Sequence, residues 1–123
     1  MAGFLNNDVY DSGLSELADG NELHICSAMP TTYTEARVTY TLGVKTTPTI
    51  SAPGAKAGGG REVTISAITD GAVTGTGTAV YFAIVDTATS RLLAAQALGA
   101  SQVITSGNVF TTTALKIGIA SPA

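Results

Sequence analysis

The sequence is poor in the residues that usually perform chemistry. It contains one cysteine, Cys26, one histidine, His24, and no tryptophan. A single thiol cannot form an internal disulfide, and one Cys with one His cannot complete the four-ligand set of a structural zinc site. The composition therefore predicts a fold that is held together by its apolar core, with no metal and no cofactor.

Charge is also scarce. Asp, Glu, Lys and Arg make up 12% of the residues, and the formal net charge is −3. The basic residues are scattered, whereas binding to phosphates needs several cations on one face, so we expect no nucleic-acid binding. The surface of a free soluble monomer usually carries about twice this density of charge. The low charge predicts that copies of the chain or another protein cover part of its surface.

Long hydrophobic runs are missing as well. The opening segment MAGFLNNDVYDSG has neither the cationic start nor the apolar stretch of a secretory signal. No later segment approaches the roughly 18 apolar residues that a membrane span requires. We therefore expect a protein that is made in a cytoplasm and contacts no membrane.

The chain does have the length and hydrophobic content of one folded domain spanning residues 1–123. Of its 123 residues, 45% are hydrophobic, and a chain of this size buries roughly two-thirds of its unfolded surface. A short amphipathic helix is predicted at 6–18, where Asn6 or Asn7 provides the cap and Tyr10, Leu14 and Leu17 form one apolar stripe.

The remainder of the sequence is typical of β-structure. Alternating or doubly apolar runs predict strands at 23–26, 37–44, 63–67, 79–85, 91–98, 102–105 and 109–119. Asp70-Gly71 and Gly99 are expected to interrupt them as turns. The predicted fold is all-β, mainly an antiparallel β-sandwich or small barrel, with the short N-terminal helix.

A long segment rich in Gly and Pro, residues 46–60, is predicted to be a mobile loop or arm. It contains Pro48, Pro53 and several glycines among small residues. We expect this arm and the N-terminal helix to carry much of the contact with partner molecules.

No catalytic constellation can be assembled from the sequence, so no catalytic, cofactor-binding or metal-binding residue is predicted and the protein is not expected to be an enzyme. His24 and Cys26 are two residues apart on one predicted strand, so a Cys-His pair is formally available, but a buried structural thiol is the favoured interpretation. Asp70 and Asp86 are explained by turn formation.

The order of segments resembles a family of small structural proteins found near capsid genes in tailed phages and prophages. The matching segments are FLNNDV (4–9), GL (13–14), LHICS (23–27), PTTY (30–33), Ala36, YTLG (40–43), GREVT (60–64), TDG (69–71), GTGTA (75–79), AIVD (83–86), SRLL (90–93) and SQVITSG (101–107). They are distributed over nearly the whole chain, but they are turns and strands rather than chemical motifs.

This resemblance implies a virion protein, with head decoration or cement as the expected role. Such a protein binds the major capsid protein or another virion protein and associates with itself, commonly as a trimer. The alternative is a neck- or tail-associated structural or receptor- or glycan-binding module. Exposed aromatics favour sugar binding, and aromatic residues are only 6% of this sequence, with Tyr33 and Tyr40 the plausible platform.

Overall fold

The computed structural model describes residues 5–120 and confirms a mostly antiparallel β fold with one short N-terminal helix. Helix α1 (Asn7–Ser15) continues into a 3₁₀ turn (Glu16–Asp19), and a π-helical turn occupies Glu35–Thr39. The strands are β1 (Glu22–Cys26), β2 (Thr41–Thr46), β3 (Gly54–Ala55), β4 (Arg61–Ile65), β5 (Ile68–Val73), β6 (Gly77–Asp86), β7 (Arg91–Ile104), β8 (Val109–Thr112) and β9 (Leu115–Ile119).

Two antiparallel sheets enclose the main core. The larger sheet has the strand order β7-β6-β1-β2-β5-β8 and the smaller one β3-β4-β9. The larger sheet contributes the buried side chains of Leu23, Phe82 and Phe110, and the smaller sheet contributes Ile65 with the partly buried Leu115. The sequence pattern succeeds here because alternate residues of a strand point to opposite faces of the sheet.

Strand β6 is covered on both faces, as its continuous apolar run predicts. Phe82 and Ile84 pack into the main core. Ala83 and Val85 belong to a second cluster on the opposite face, where Ala36 of the π-helical turn covers them.

Helix α1 packs its apolar stripe on the body of the protein. The side chain of Asn6 caps it by accepting a 2.7 Å hydrogen bond from the backbone N–H of Asp8. Leu14 and Leu17 are buried against Val63 of β4 and against Leu93 of β7. The helix therefore covers the first half of β7, and the predicted N-terminal helix is confirmed.

The strand predicted at 37–44 is wrong in its first part, because Glu35–Thr39 form the π-helical turn and β2 begins at Thr41. The Thr32 hydroxyl accepts a hydrogen bond from the backbone N–H of Glu35 at 3.1 Å. The Glu35 carboxylate in turn accepts from the backbone N–H of Thr31 at 2.8 Å. This reciprocal capping favours helical turns and overrides the β-forming residues that follow.

The turn predicted at Asp70-Gly71 is also wrong, because both residues lie within β5. The pairing of β5 with β8 is irregular between Ile68 and Gly71. A side chain at Gly71 would collide with the ring of Phe110. The glycine therefore allows close packing of an aromatic core residue, whereas the sequence suggests a reversal of the chain.

Two further boundaries differ from the sequence prediction. Strand β7 runs without interruption through Gly99 from Arg91 to Ile104, instead of stopping there. The single strand predicted at 109–119 is two strands, β8 and β9, which belong to different sheets. The chain passes from one sheet to the other at Thr113 and Ala114.

Most of the segment 46–60 follows the edge of the smaller sheet instead of extending from the body. Ile50 forms an isolated bridge with Ile65, and the backbone N–H of Ser51 donates to the carbonyl of Thr64 at 2.9 Å. Farther along, Gly54 pairs with Glu62. These contacts fix the path of the segment, while its mobility stays a prediction.

Candidate functional site

The described residues form two concave regions of different chemistry. The first, which we call the polar cleft, has a volume of about 310 Å³. It is lined by Glu22, His24, Arg37, Thr41, Val44 and Thr74. The antiparallel pairing of β1 with β2 places His24 directly opposite Val44, and the π-helical turn adds Arg37.

One hydrogen-bonded network connects the side chains of the polar cleft. A single oxygen of Glu22, Oε1, lies 2.9 Å from Nε2 of His24 and 3.1 Å from Nε of Arg37. Nδ1 of His24 lies 2.7 Å from the hydroxyl of Thr41. A neutral imidazole satisfies both of its contacts when Nε2–H donates to the carboxylate and the hydroxyl donates to Nδ1.

The electrostatics of the cleft favour that neutral ring. His24 is only 4% exposed. Burial lowers the pKa of His24, and this outweighs the hydrogen bond to Glu22 and the attraction of its charge, which act in the opposite direction. Burial acts to raise the pKa of Glu22, but the hydrogen bonds from His24 and Arg37 outweigh it and lower the pKa.

The order hydroxyl, imidazole, carboxylate is that of an acyl-transfer relay, which sequence reasoning did not assemble. Three features oppose such a use. Arg37 shares the carboxylate oxygen, the Thr41 hydroxyl also faces the carbonyl of Gly43 at 3.2 Å, and the imidazole is almost fully enclosed. A relay must pass its proton to a substrate that touches the ring, so we interpret the network as a connection between β1, β2 and the π-helical turn.

Cys26 lies at the end of β1 and does not form an activated pair with His24. It is fully buried, and its thiol faces the carbonyl of Ala36 with an Sγ–O distance of 3.7 Å. Burial raises the pKa of the thiol to about 11. Activated cysteines have lowered pKa values, so this thiol is a core residue.

The second concave region, which we call the neutral groove, has a volume of about 410 Å³. Its lining residues are Leu98, Gly99, Ala100, Gln102, Thr111, Thr112, Thr113 and Leu115. No charged or aromatic side chain lines it within residues 5–120. It lies between the second half of β7 and the passage from β8 to β9.

A wide bulge in β7 opens the neutral groove. Ala97 pairs with Tyr81 and Gln102 pairs with Ala79, so residues 98–101 of β7 lie opposite one residue, Val80, of β6. Across the groove, Nε2 of Gln102 donates to the carbonyl of Thr111 at 2.8 Å. This contact joins β7 to β8, which are not neighbouring strands in the hydrogen-bonded order of the larger sheet.

The neutral groove contains a polar group without a partner. Thr112 is 8% exposed, and its hydroxyl has no hydrogen-bond partner within the described part of the chain. Leaving such a group unpaired costs about 1–3 kcal/mol. The groove was not predicted, although one signal was visible, since residues 92–115 contain no charged residue.

The acids that the sequence assigns to turn formation have structural partners. Asp70 pairs with Lys45, with an Nζ–Oδ1 distance of 2.9 Å, and this contact lowers its pKa. Asp86 accepts hydrogen bonds from the Thr89 hydroxyl and from the backbone N–H of Ala88. Asp86 thus stabilises the connection from β6 to β7, while Asp70 joins β5 to the neighbouring strand β2.

Residues 5–120 contain neither a cluster of metal ligands nor a membrane-spanning helix. No group of three or more His, Cys, Asp and Glu side chains is arranged to hold a metal ion. No helix in this range combines the length and the hydropathy needed to span a membrane.

Comparisons with known proteins add no relative. The chain matches no protein-family model, no curated protein and no solved structure. The resemblance to small phage structural proteins therefore stays an expectation from the sequence.

Proposed function

We propose that this chain is a structural protein of a phage virion, a head decoration or cement protein that binds the capsid shell and associates with itself, with a trimer as the expected form. The observation that carries the assembly role is the uncharged stretch 92–115, part of which is exposed at a sheet edge. Sheet edges are normally protected by charge or by a cover. The resemblance supplies the virion context.

The exposure of this stretch favours a covered surface. Val103 is 85% exposed and Val109 is 65% exposed, and they flank the connection from β7 to β8. They belong to the same uncharged stretch of sequence as the residues that line the neutral groove, and we call the two together the neutral face. Exposed apolar surface with no charge is a recurrent property of protein contacts.

The competing functions have less support. An enzyme needs a reacting group that a substrate can touch, and the polar cleft encloses its imidazole. A glycan-binding module on a tail or neck is better served by an aromatic platform, and among the described residues none lines the neutral groove. We therefore rank shell binding first, the tail- or neck-borne module second and catalysis last.

A pelleting experiment tests the proposal. Shells of the phage that encodes the chain are prepared from a deletion strain, mixed with the purified protein and sedimented. We expect binding that saturates, and we expect shells that already carry the protein to take up no more. Absence of the protein from both the pelleted shells and the purified virions would overturn the proposal.

Mass spectrometry of separated heads and tails distinguishes the two virion locations. The proposal predicts the protein in the head fraction. Recovery in the tail fraction alone would replace the decoration role with the tail-borne module.

A further inference from the structure

We propose that the neutral face is the surface through which two copies of this chain contact each other, with the exposed Val103 and Val109 of one copy resting in the neutral groove of the next. This inference rests on the proposed function only in taking the chain to be self-associating. The occupant is a second copy because one chain carries both exposed apolar side chains, Val103 and Val109, and an uncharged groove that can receive them.

The charge distribution favours contact between copies at this face. Each copy has a net charge of −3, so two copies repel each other when averaged over all orientations. Along the chain, the nearest charges to the neutral face are Arg91 and Lys116, at the two ends of the uncharged stretch. Contact between two neutral faces therefore brings no like charges into close opposition.

The two halves of β7 differ in their cover. The first half lies against α1 and the 3₁₀ turn, where Leu93 contacts buried leucines and Arg91 pairs with Glu16 at 3.4 Å. In the second half the residues at 97, 99, 100, 101 and 103 are exposed. The chain's own elements therefore cover only the first half of β7. An uncovered strand edge without charge readily accepts another chain.

The recess provides what the protruding part requires. Leu98 and Leu115 are partly buried in the main core and also line the groove, where they offer apolar surface to an entering valine. The surrounding groups are neutral hydroxyl and amide groups. In a head-to-tail contact, one surface of a copy meets a different surface of the next copy. Such contacts close into a ring when the rotation between copies allows it, and a trimer is one such ring.

The test is solution mass by light scattering, at low and at high micromolar protein. The wild-type chain is compared with Val103→Lys and Gly99→Lys, which both place a lysine on the neutral face. An added Cβ at Gly99 meets no atom within 4 Å, and Val103 is exposed, so both substitutions have room in the isolated copy. Circular dichroism identifies the variants that are folded.

The matched control is Val38→Lys. Val38 is 67% exposed and belongs to the π-helical turn, outside the neutral face. This control adds the same charge to the chain as each face variant. Any loss of mass that it shares with them would reflect net charge rather than the contact.

We expect the wild-type chain and Val38→Lys to have a defined multiple of 12.3 kDa, and the two face variants to have 12.3 kDa. A wild-type mass of 12.3 kDa at all concentrations, or a folded face variant that keeps the wild-type mass, would overturn the inference. A monomer that still pellets with shells overturns this inference and the self-association in the proposed function, and leaves shell binding in place. An oligomer that ignores shells overturns only the proposed function.

Discussion

The polar cleft and the neutral groove are similar in size but opposite in the state of their polar groups. In the cleft, the side chains of Glu22, His24 and Thr41 all have hydrogen-bond partners within the protein. In the groove, the Thr112 hydroxyl has none among the described residues, and apolar side chains remain exposed nearby. A concave surface alone is thus a poor guide to function, because polar side chains that already hydrogen-bond to each other are not available to bind a ligand.

The largest expected effect is a difference in thiol reactivity between β1, the strand that carries Glu22 and His24 of the cleft, and the uncovered half of β7. At pH 7 we expect Cys26 in the folded protein to react about 100-fold more slowly than in the unfolded chain, because its side chain is buried and its pKa is raised from 9.0 to about 11. A chromogenic thiol reagent, used with and without denaturant, measures both rates.

A cysteine placed in the uncovered half of β7 provides the comparison. Ser101→Cys in a Cys26→Ala background places the only thiol at an exposed position of the neutral face. In dilute protein we expect it to react at nearly the rate of the unfolded chain. Equal protection of both thiols would show that β1 and the uncovered half of β7 do not differ in access.

The next effect in size is on stability. Glu22→Ala removes the acceptor that His24 and Arg37 share and leaves the Nε2–H of a buried imidazole unpaired. We expect the free energy of unfolding in urea to fall by about 1–3 kcal/mol. The control Glu16→Ala removes a carboxylate that is 60% exposed and faces Arg91, so its effect should be below about 1 kcal/mol. Equal losses in the two variants would contradict the structural role of the cleft.

Acid should lower the free energy of unfolding because His24 in the polar cleft takes up a proton less readily in the folded protein. Its pKa in the folded state is below the ordinary value of 6.5, so the folded protein binds fewer protons than the unfolded chain just below that pH. The free energy of unfolding therefore falls as pH decreases from about 6.5 toward the lower folded-state pKa. Urea titrations between pH 7 and pH 5 measure this, and His24→Gln should lose the dependence. An equal slope in the variant would assign it to other groups.

Glu22 adds a second contribution at lower pH. Its pKa in the folded state lies below the ordinary 4.5. The stability that it provides is present above that value and is lost as pH falls through the folded-state pKa.

The smallest expected effect is a change in the free energy of unfolding that has opposite signs in the two regions. Thr112→Val replaces an unpaired buried hydroxyl with a methyl group of similar shape, so we expect the free energy of unfolding to rise by about 1 kcal/mol. Thr41→Val makes the same exchange in the cleft, where it breaks the contact with His24. There we expect a loss of about 1 kcal/mol, and equal signs would contradict the assignment of paired and unpaired hydroxyls.

Local patterns in the sequence predict the central strands and the helix. The segments at 23–26 and 79–85 were recognised because burial repeats with a period of two residues or occupies both faces. The π-helical turn was missed, although Thr32 and Glu35 have the spacing of a capping box. Gly71 was misread because its partner, the ring of Phe110, is distant in the sequence.

The two concave regions were beyond sequence reasoning for different reasons. Glu22 and His24 could be placed on one strand face by period alone, but their contacts with Thr41 and Arg37 depend on strand register and on the missed turn. The neutral groove depends on the bulge in β7 and on how the chain changes sheets. The absence of charge over residues 92–115 is the one sequence feature that indicates this groove.

The most direct test of this contrast is amide hydrogen exchange followed as a function of protein concentration. If the neutral face is covered by a second copy, the amides of residues 98–103 gain protection as the concentration rises, while those of β1 do not change. Unchanged exchange at residues 98–103, under conditions in which light scattering shows that the chain has associated, would contradict the assignment of this face to contact between copies.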